Sequence, residues 1–321
     1  MFGNVNIIWA SARTERLRST CNILIAAIAV CDILHQSSHF IMGFLLYSGN
    51  VKIKQKTCFY LQSVPSFAFS LGAMLLFLTS LERLTCILKA ATYRKNPGLG
   101  HIAAITAPCC LLPIYMIYQS YTEMLVTPAE PTFCIIMNAI KGDSLSFLMA
   151  YHNLLSVMTL LTYCMIWILI KHRKYKKSKP MLKSVFVVSV CVVGGWMLAM
   201  GSGNVWLTTK DQIPDSLKLY GGLLINLSVS ANYVIYYSLN SDYRKAFQEQ
   251  FCILRCQYLP SSSRTSTAWL SMNDPIRLTA SSPFFIGGVH GHFKKCPCAF
   301  YVIYFATSEN IREAFIDQLQ I

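Results

Sequence analysis

The sequence predicts an all-α membrane protein, a bundle of spanning helices, and three observations carry that prediction. The chain has 321 residues, of which 54% are apolar and only 13% charged, with a mean hydropathy of +0.43. An average soluble chain carries about 25% charged residues, so this one could not cover a soluble surface. Six apolar stretches, roughly 21–47, 58–88, 99–121, 144–170, 181–207 and 216–239, reach the length of about 20 residues that a bilayer-crossing helix needs. Basic residues also alternate between the connectors in the manner of a multi-pass protein.

The stretches are helices because each is too long for a strand and is bounded by charges or Pro/Gly clusters. In lipid, a helix satisfies its backbone hydrogen bonds within one segment. Residues 1–11 begin MFGNVNIIWA. They are apolar, but ten residues of helix reach about 15 Å, half the hydrocarbon core. They lack a basic n-region and a small-residue cleavage site, so they read as the inner remnant of a first helix rather than a leader. Placing the connector before the first full span inside puts Arg13, Arg16, Arg18, Lys89, Arg94, Lys95, Lys171, Arg173, Lys174, Lys176, Lys177 and Lys179 on the inner side. The outer side then holds Lys52, Lys54, Lys56, Lys141 and Lys210. That bias orients the bundle with its C-terminal tail inside.

After the last span, residues 240–253 read as an amphipathic helix. Residues 256–321 form a tail whose Ser/Thr-rich part, 256–283, suits disorder. Within it, 299–319 matches 231–251 at nine of 21 positions. This reads as a partial duplicate of the end of the last span, from an exon or a fused neighbouring gene. The alternative is chance similarity between two apolar-then-amphipathic segments.

The net charge of +14 is mainly a cytoplasmic-face signal, with no nucleic-acid site needed. Thirteen cysteines cannot all pair within the chain, and most sit inside apolar runs as small core residues. No paired C-x-x-C zinc pattern, G-x-S-x-G, H-E-x-x-H or Walker sequence occurs. His35 and His39 lie four apart without a third ligand, so no metal or other cofactor is called for. An enzyme is therefore disfavoured. A transporter would show inverted repeats or interrupted polar helices, and neither is present.

Polar residues inside the spans are the functional candidates, because lipid makes them expensive. Asp32 lies in LIAAIAVCDIL, Glu82-Arg83 closes FSLGAMLLFLTSLERL, and Asn232 lies in LSVSANYVIYY. Their order and spacing resemble the rhodopsin-like G-protein-coupled receptors. Gly3-Asn4 resembles the first-span Gly-Asn of that family, and Asp32 follows 28 residues later, at the family's interval. Asn22, Ala29 and Asp32 resemble its second-span pattern. Glu82-Arg83-Leu84 resembles its Asp/Glu-Arg-Tyr motif. Asn232 to Tyr236 resembles Asn-Pro-x-x-Tyr without the Pro, and SDYRKAF (241–247) resembles the amphipathic helix that follows. The resemblance covers about residues 1–255, and the missing prolines with the Tyr-rich last span are most similar to nematode serpentine chemoreceptors of the Srsx type.

The resemblance implies a seven-helix receptor bundle with a truncated first helix and six full spans in a body running over 12–255. It implies a disulfide between Cys58 and Cys134. It also implies an inner switch of Glu82 and Arg83, with Tyr163, Tyr236, Asn232 and Asp32 as its partners, contacting a heterotrimeric G protein. Pocket candidates by position are Phe67, Phe69, Tyr151, Trp196 and Asn226. Pro65 and Asn226 occupy the amine-binding and retinal-lysine positions of the family, which argues against an amine receptor and an opsin. Gly72 in place of a Ser makes sodium binding at Asp32 doubtful. Cys252 and Cys256 beside the amphipathic helix suit either palmitoylation or packing. The expected function is transduction of an outside small molecule across the plasma membrane. A peptide receptor of the same superfamily, or a truncated product that does not signal, are the alternatives.

Overall fold

A computed structural model describes residues 1–50, 52–88, 99–173, 190, 193–205 and 215–254. These residues lie within one compact unit, Met1–Ser261. The tail beyond residue 254, with its 299–319 copy and Cys256, lies outside the described residues. So do most of the inner basic connector from residue 174 and the side chain of Cys252.

The elements follow the apolar pattern closely. After the short α1 (Phe2–Arg13) and a 3₁₀ turn (Glu15–Leu17) come α2 (Thr20–Tyr47), α3 (Gln55–Leu88) and α4 (Leu99–Met124). A one-turn helix α5 (Ile136–Ala139) and then α6 (Gly142–Arg173) follow. The described part of the next span is α7 (193–205), and α8 (Asp215–Leu239) leads into α9 (Ser241–Leu254). Thr20–Tyr47, Gln55–Leu88, Ile102–Met124 and Gly142–Leu169 are long and apolar enough to cross a membrane by composition alone. Among the described residues the expected all-helical body carries one exception, a two-stranded sheet in the outer connectors. There β1 (Lys52–Lys54) pairs antiparallel with β2 (Pro131–Phe133), Ile53 opposite Thr132.

Local chemistry sets the element ends. Ser19 Oγ accepts from Asn22 N at 3.4 Å and caps α2. At the other end Gly49 takes φ +73°, and its N–H and that of Asn50 reach back to the carbonyls of Leu46 and Leu45. The left-handed turn that closes α2 is open to glycine at no steric cost. Between α8 and α9, Asn240 Oδ1 accepts from the N–H groups of Asp242 and Tyr243 at 3.0 and 3.3 Å. Arg244 donates back to the carbonyls of Tyr237 and Ser238, at the C-terminal end of α8. One cap thus starts α9 while a cation finishes α8.

Helix α3 is the centre of the bundle and packs against α2, α4, α5 and α6. Its buried face runs from Cys58 through Phe69, Ala73 and Leu76 to Arg83. Large apolar side chains that face outward, such as Phe44, Leu111, Leu154 and Leu223, sit where lipid would cover them. Helix α1 packs on α2, α8 and α9. It approaches α8 so closely that a Cβ on Gly3 would stand 2.6 Å from Tyr233 Cβ. The periodic face of α9, Tyr243, Ala246, Phe247 and Gln250, is buried. Gln250 Nε2 donates to the Asn6 carbonyl at 3.2 Å, and the Ser11 and Tyr243 hydroxyls lie 3.2 Å apart.

Two glycine substitutions should split by sign. Gly3→Ala gains about 1 kcal/mol of helix propensity but overpacks the α1–α8 contact, at a cost of about 1–3 kcal/mol. Its melting temperature in nanodiscs is expected to fall. A Cβ on Gly43, in α2, would meet nothing within 4 Å, so Gly43→Ala escapes that clash and is expected to raise the melting temperature. Equal shifts would refute the close contact.

Candidate functional site

The site is a column of polar and aromatic side chains that runs through the bundle from its outer end inward. At the outer end Cys58, at the start of α3, is disulfide-bonded to Cys134 in the connector, with Cα atoms 5.3 Å apart. Both sulfurs are buried, packed with Ala139 and against Leu45 and Ile53. Glutamines of α3 reinforce the anchor. Gln55 Nε2 donates to the carbonyls of Asn138 and Ala139, both at 3.1 Å, and Gln62 Nε2 to that of Cys134 at 3.4 Å. Gln62 lies one helical turn past Cys58, on the same face. Two acidic residues of this layer are engaged locally. Glu123 Oε1 accepts from Ser144 N at 3.0 Å, capping α6. Glu130 accepts from Lys141 Nζ at 2.6 Å, and hydrogen bonds from Lys141 and then Thr127 hold its carboxyl below its ordinary range.

Below the disulfide, four helices meet in a stack of rings. His35 of α2 lies face to face with Phe69 of α3 at a centroid distance of 4.8 Å. Phe69 in turn stacks on His152 of α6 at 4.2 Å. Trp196 of α7 closes the stack, 5.3 Å from His152 and 5.5 Å from Phe69. Tyr151 anchors α6 by donating to the Ser70 carbonyl at 3.2 Å. On the rim, Asn226 Nδ2 donates to the Gly222 carbonyl at 2.7 Å and stands 2.6 Å from His39 Nε2. With the amide as donor to both, His39 Nε2 accepts and Nδ1 carries the ring proton.

Below Trp196 a small cavity is lined by Asn4, Asp32, Trp196, Asn232 and Tyr236 among apolar neighbours and Gly72. Its volume, counted as space a water's centre can reach, is about 20 Å³, room for one water. Asp32 is 5% exposed and Asn232 7%. Asp32 Oδ2, Asn232 Oδ1 and Trp196 Nε1 have no hydrogen-bond partner among the described residues. At the inner end Arg83 is 6% exposed, with Cys21, Cys86, Tyr163 and Tyr236 in electrostatic range. Glu82 beside it is half-buried. Tyr163 packs with Ile166 against Leu84 and Ile87, and Tyr236 lies 5.0 Å from the ring of Tyr243 in α9.

A sequence model of the family described as serpentine type 7TM GPCR chemoreceptor Srsx matches residues 1–251. The chain belongs to this receptor family. It is a multi-pass membrane protein and a receptor rather than an enzyme. The receptor is also 25% identical over 286 residues to the neuropeptide Y receptor type 2 of Cavia porcellus, an alignment that takes in 79% of this chain and 73% of that one.

The tertiary structure brings most of the sequence candidates together. Phe69, Tyr151 and Trp196 share one core, and Asp32, Asn232, Trp196 and Tyr236 share one cavity. Phe67 stays half-buried and makes no ring contact with the described residues. Asn226 meets His39 at the rim rather than the ring stack. His152 escaped the motif comparison, although an ionisable residue inside a span is a functional candidate by default. His35 and His39 part company, one to Phe69 and one to Asn226, and no metal-holding group of side chains exists among the described residues.

The disulfide makes a quantitative prediction. Cys58→Ser, Cys134→Ser and the double substitution should each lower stability by the same amount, on the order of 2–5 kcal/mol, because either change removes the one shared bond. Thermal unfolding of the three variants checks it, and additive losses would refute a shared bond.

Proposed function

We propose that this receptor couples binding of a small neutral or weakly polar molecule, outside the cell, to a heterotrimeric G protein at its inner face, from the plasma membrane. The observation that carries the reading is the continuity of the column. The ring stack and the Asp32 cavity share Trp196, and the cavity and the Arg83 end share Tyr236. A ligand acts by binding one arrangement of the helices more tightly than another. A shift of Trp196 would alter the packing around Asp32 and Asn232, and Tyr236 would pass the change to Arg83. In this proposal Arg83 with Glu82 holds the inner ends of the helices together, and Tyr163 and Tyr236 receive Arg83 when the groove opens. The aromatic side chains around Phe69, Tyr151 and Trp196 form the outer pocket.

A peptide ligand is the second reading, favoured by the likeness to a neuropeptide receptor. Peptides draw on charged outer connectors, yet Glu123 and Glu130 here are already committed to Ser144 N and Lys141. That commitment, and the aromatic character of the layer beneath, favour the small molecule.

Arg83→Ala tests the switch. G-protein activation in reconstituted membranes is expected to be abolished while cell-surface expression stays intact. Signalling that survives unchanged removes Arg83 from the mechanism. A full response to a strongly cationic agonist, persisting after Glu123, Glu130 and Asp143 are neutralised, would overturn the neutral-ligand reading.

A further inference from the structure

His152 poses a problem that its fold does not solve. Its side chain is 0% exposed, and both ring nitrogens lack a hydrogen-bond partner among the described residues. A neutral imidazole carries one donor and one acceptor, and leaving buried polar atoms unmatched is destabilising. The adjoining ring repeats the pattern, since Trp196 Nε1 is buried without a partner as well. Three unmatched polar atoms therefore sit on two rings 5.3 Å apart, walled by Phe69 and Tyr151. A phenylalanine at position 152 would fill the same ring slot without the penalty. An occupant that hydrogen-bonds the imidazole would remove that penalty.

We propose that His152 and Trp196 form a hydrogen-bonding subsite for a flat, uncharged aromatic molecule bearing a group that both donates and accepts, such as a hydroxyl or a carboxamide. This deepens the small-molecule reading above and rests on it. The aromatic body of the ligand takes a place against Phe69 and Trp196. Its polar group donates to the acceptor nitrogen of the imidazole and accepts from the indole N–H of Trp196. Recognition of this kind is selective, because a hydrocarbon of the same shape leaves the buried nitrogens unmatched. Entry requires Trp196 to give way, since the stack leaves the imidazole sealed.

The test uses purified full-length receptor in nanodiscs without G protein, with benzyl alcohol and benzamide as polar probes and toluene as the apolar one. Binding is read by ligand-induced thermal shift and by equilibrium dialysis. Wild type is expected to bind the polar probes about ten-fold more tightly than toluene, the order of one buried hydrogen bond. His152→Phe should abolish that preference, and His152→Gln, which keeps a donor and an acceptor, should retain part of it. His152→Phe should also melt no lower than wild type, because it removes two unmatched polar atoms. A preference that survives His152→Phe overturns the proposal, as does a wild type that binds none of the polar probes. A large drop in the melting temperature of His152→Phe overturns it too, by showing that the imidazole already has partners. Failure of G-protein coupling in Arg83→Ala leaves this binding measurement untouched, so the two readings fail separately.

Discussion

Over the hydrocarbon core, about 30 Å thick, lipid offers a side chain nothing to hydrogen-bond, and the arrangement of this receptor follows from that constraint. Outward positions of the spans carry Phe44, Leu111, Leu154 and Leu223, while Asp32, Gln62, His152, Asn232 and Arg83 turn inward. Because α3 has neighbours on several sides, its inward face becomes the axis on which the polar groups gather. The cost of a charge in lipid thus decides helix rotation as firmly as apolar packing does.

Along that axis each layer mixes matched and unmatched polar atoms. In the outer layer Gln55 spans two carbonyls, Glu123 caps α6 and Glu130 is held by Lys141, while Gln55 Oε1, Gln62 Oε1 and Glu123 Oε2 keep no hydrogen-bond partner among the described residues. Its disulfide ties the connector to α3 and makes a rigid rim. The middle layers carry unmatched atoms too. His152, Trp196, Asp32 and Asn232 keep buried atoms without partners among the described residues.

The inner end shows how a short helix can be made integral. Helix α9 is polar on one side and buries Tyr243, Ala246, Phe247 and Gln250 on the other. Two of its side chains reach α1, through Ser11 and the Asn6 carbonyl. Burial pushes the Tyr243 phenol above its ordinary range, so it remains a neutral partner to Ser11. With Gly3 pressed against Tyr233 and Phe2 in edge contact with the same ring, α1 is clamped between α8 and α9. The twelve helical residues of α1 serve as a docking surface as much as a span.

Local chemistry in the sequence marked where the long described helices lie and where α9 starts. These follow from hydropathy, charge bias and caps, which act over a few residues. The spacing of Asp32, Arg83 and Asn232 also marked the axis, because one residue type at a forbidden depth needs no neighbours to be recognised. Tertiary structure alone decided which of these side chains meet. Phe67 and Phe69 are equally aromatic on paper, but two residues along a helix turn one aside and stack the other between two histidines. His35 and His39 look like a pair, yet a turn of helix sends one to Phe69 and the other to Asn226. The outer strand pairing of Lys52–Lys54 with Pro131–Phe133 joins segments about 80 residues apart, as read from their numbering, and follows the disulfide that holds them together. The unmatched imidazole of His152 is likewise a property of its surroundings: a sequence shows that a histidine is present, and only packing shows that nothing in the fold answers it.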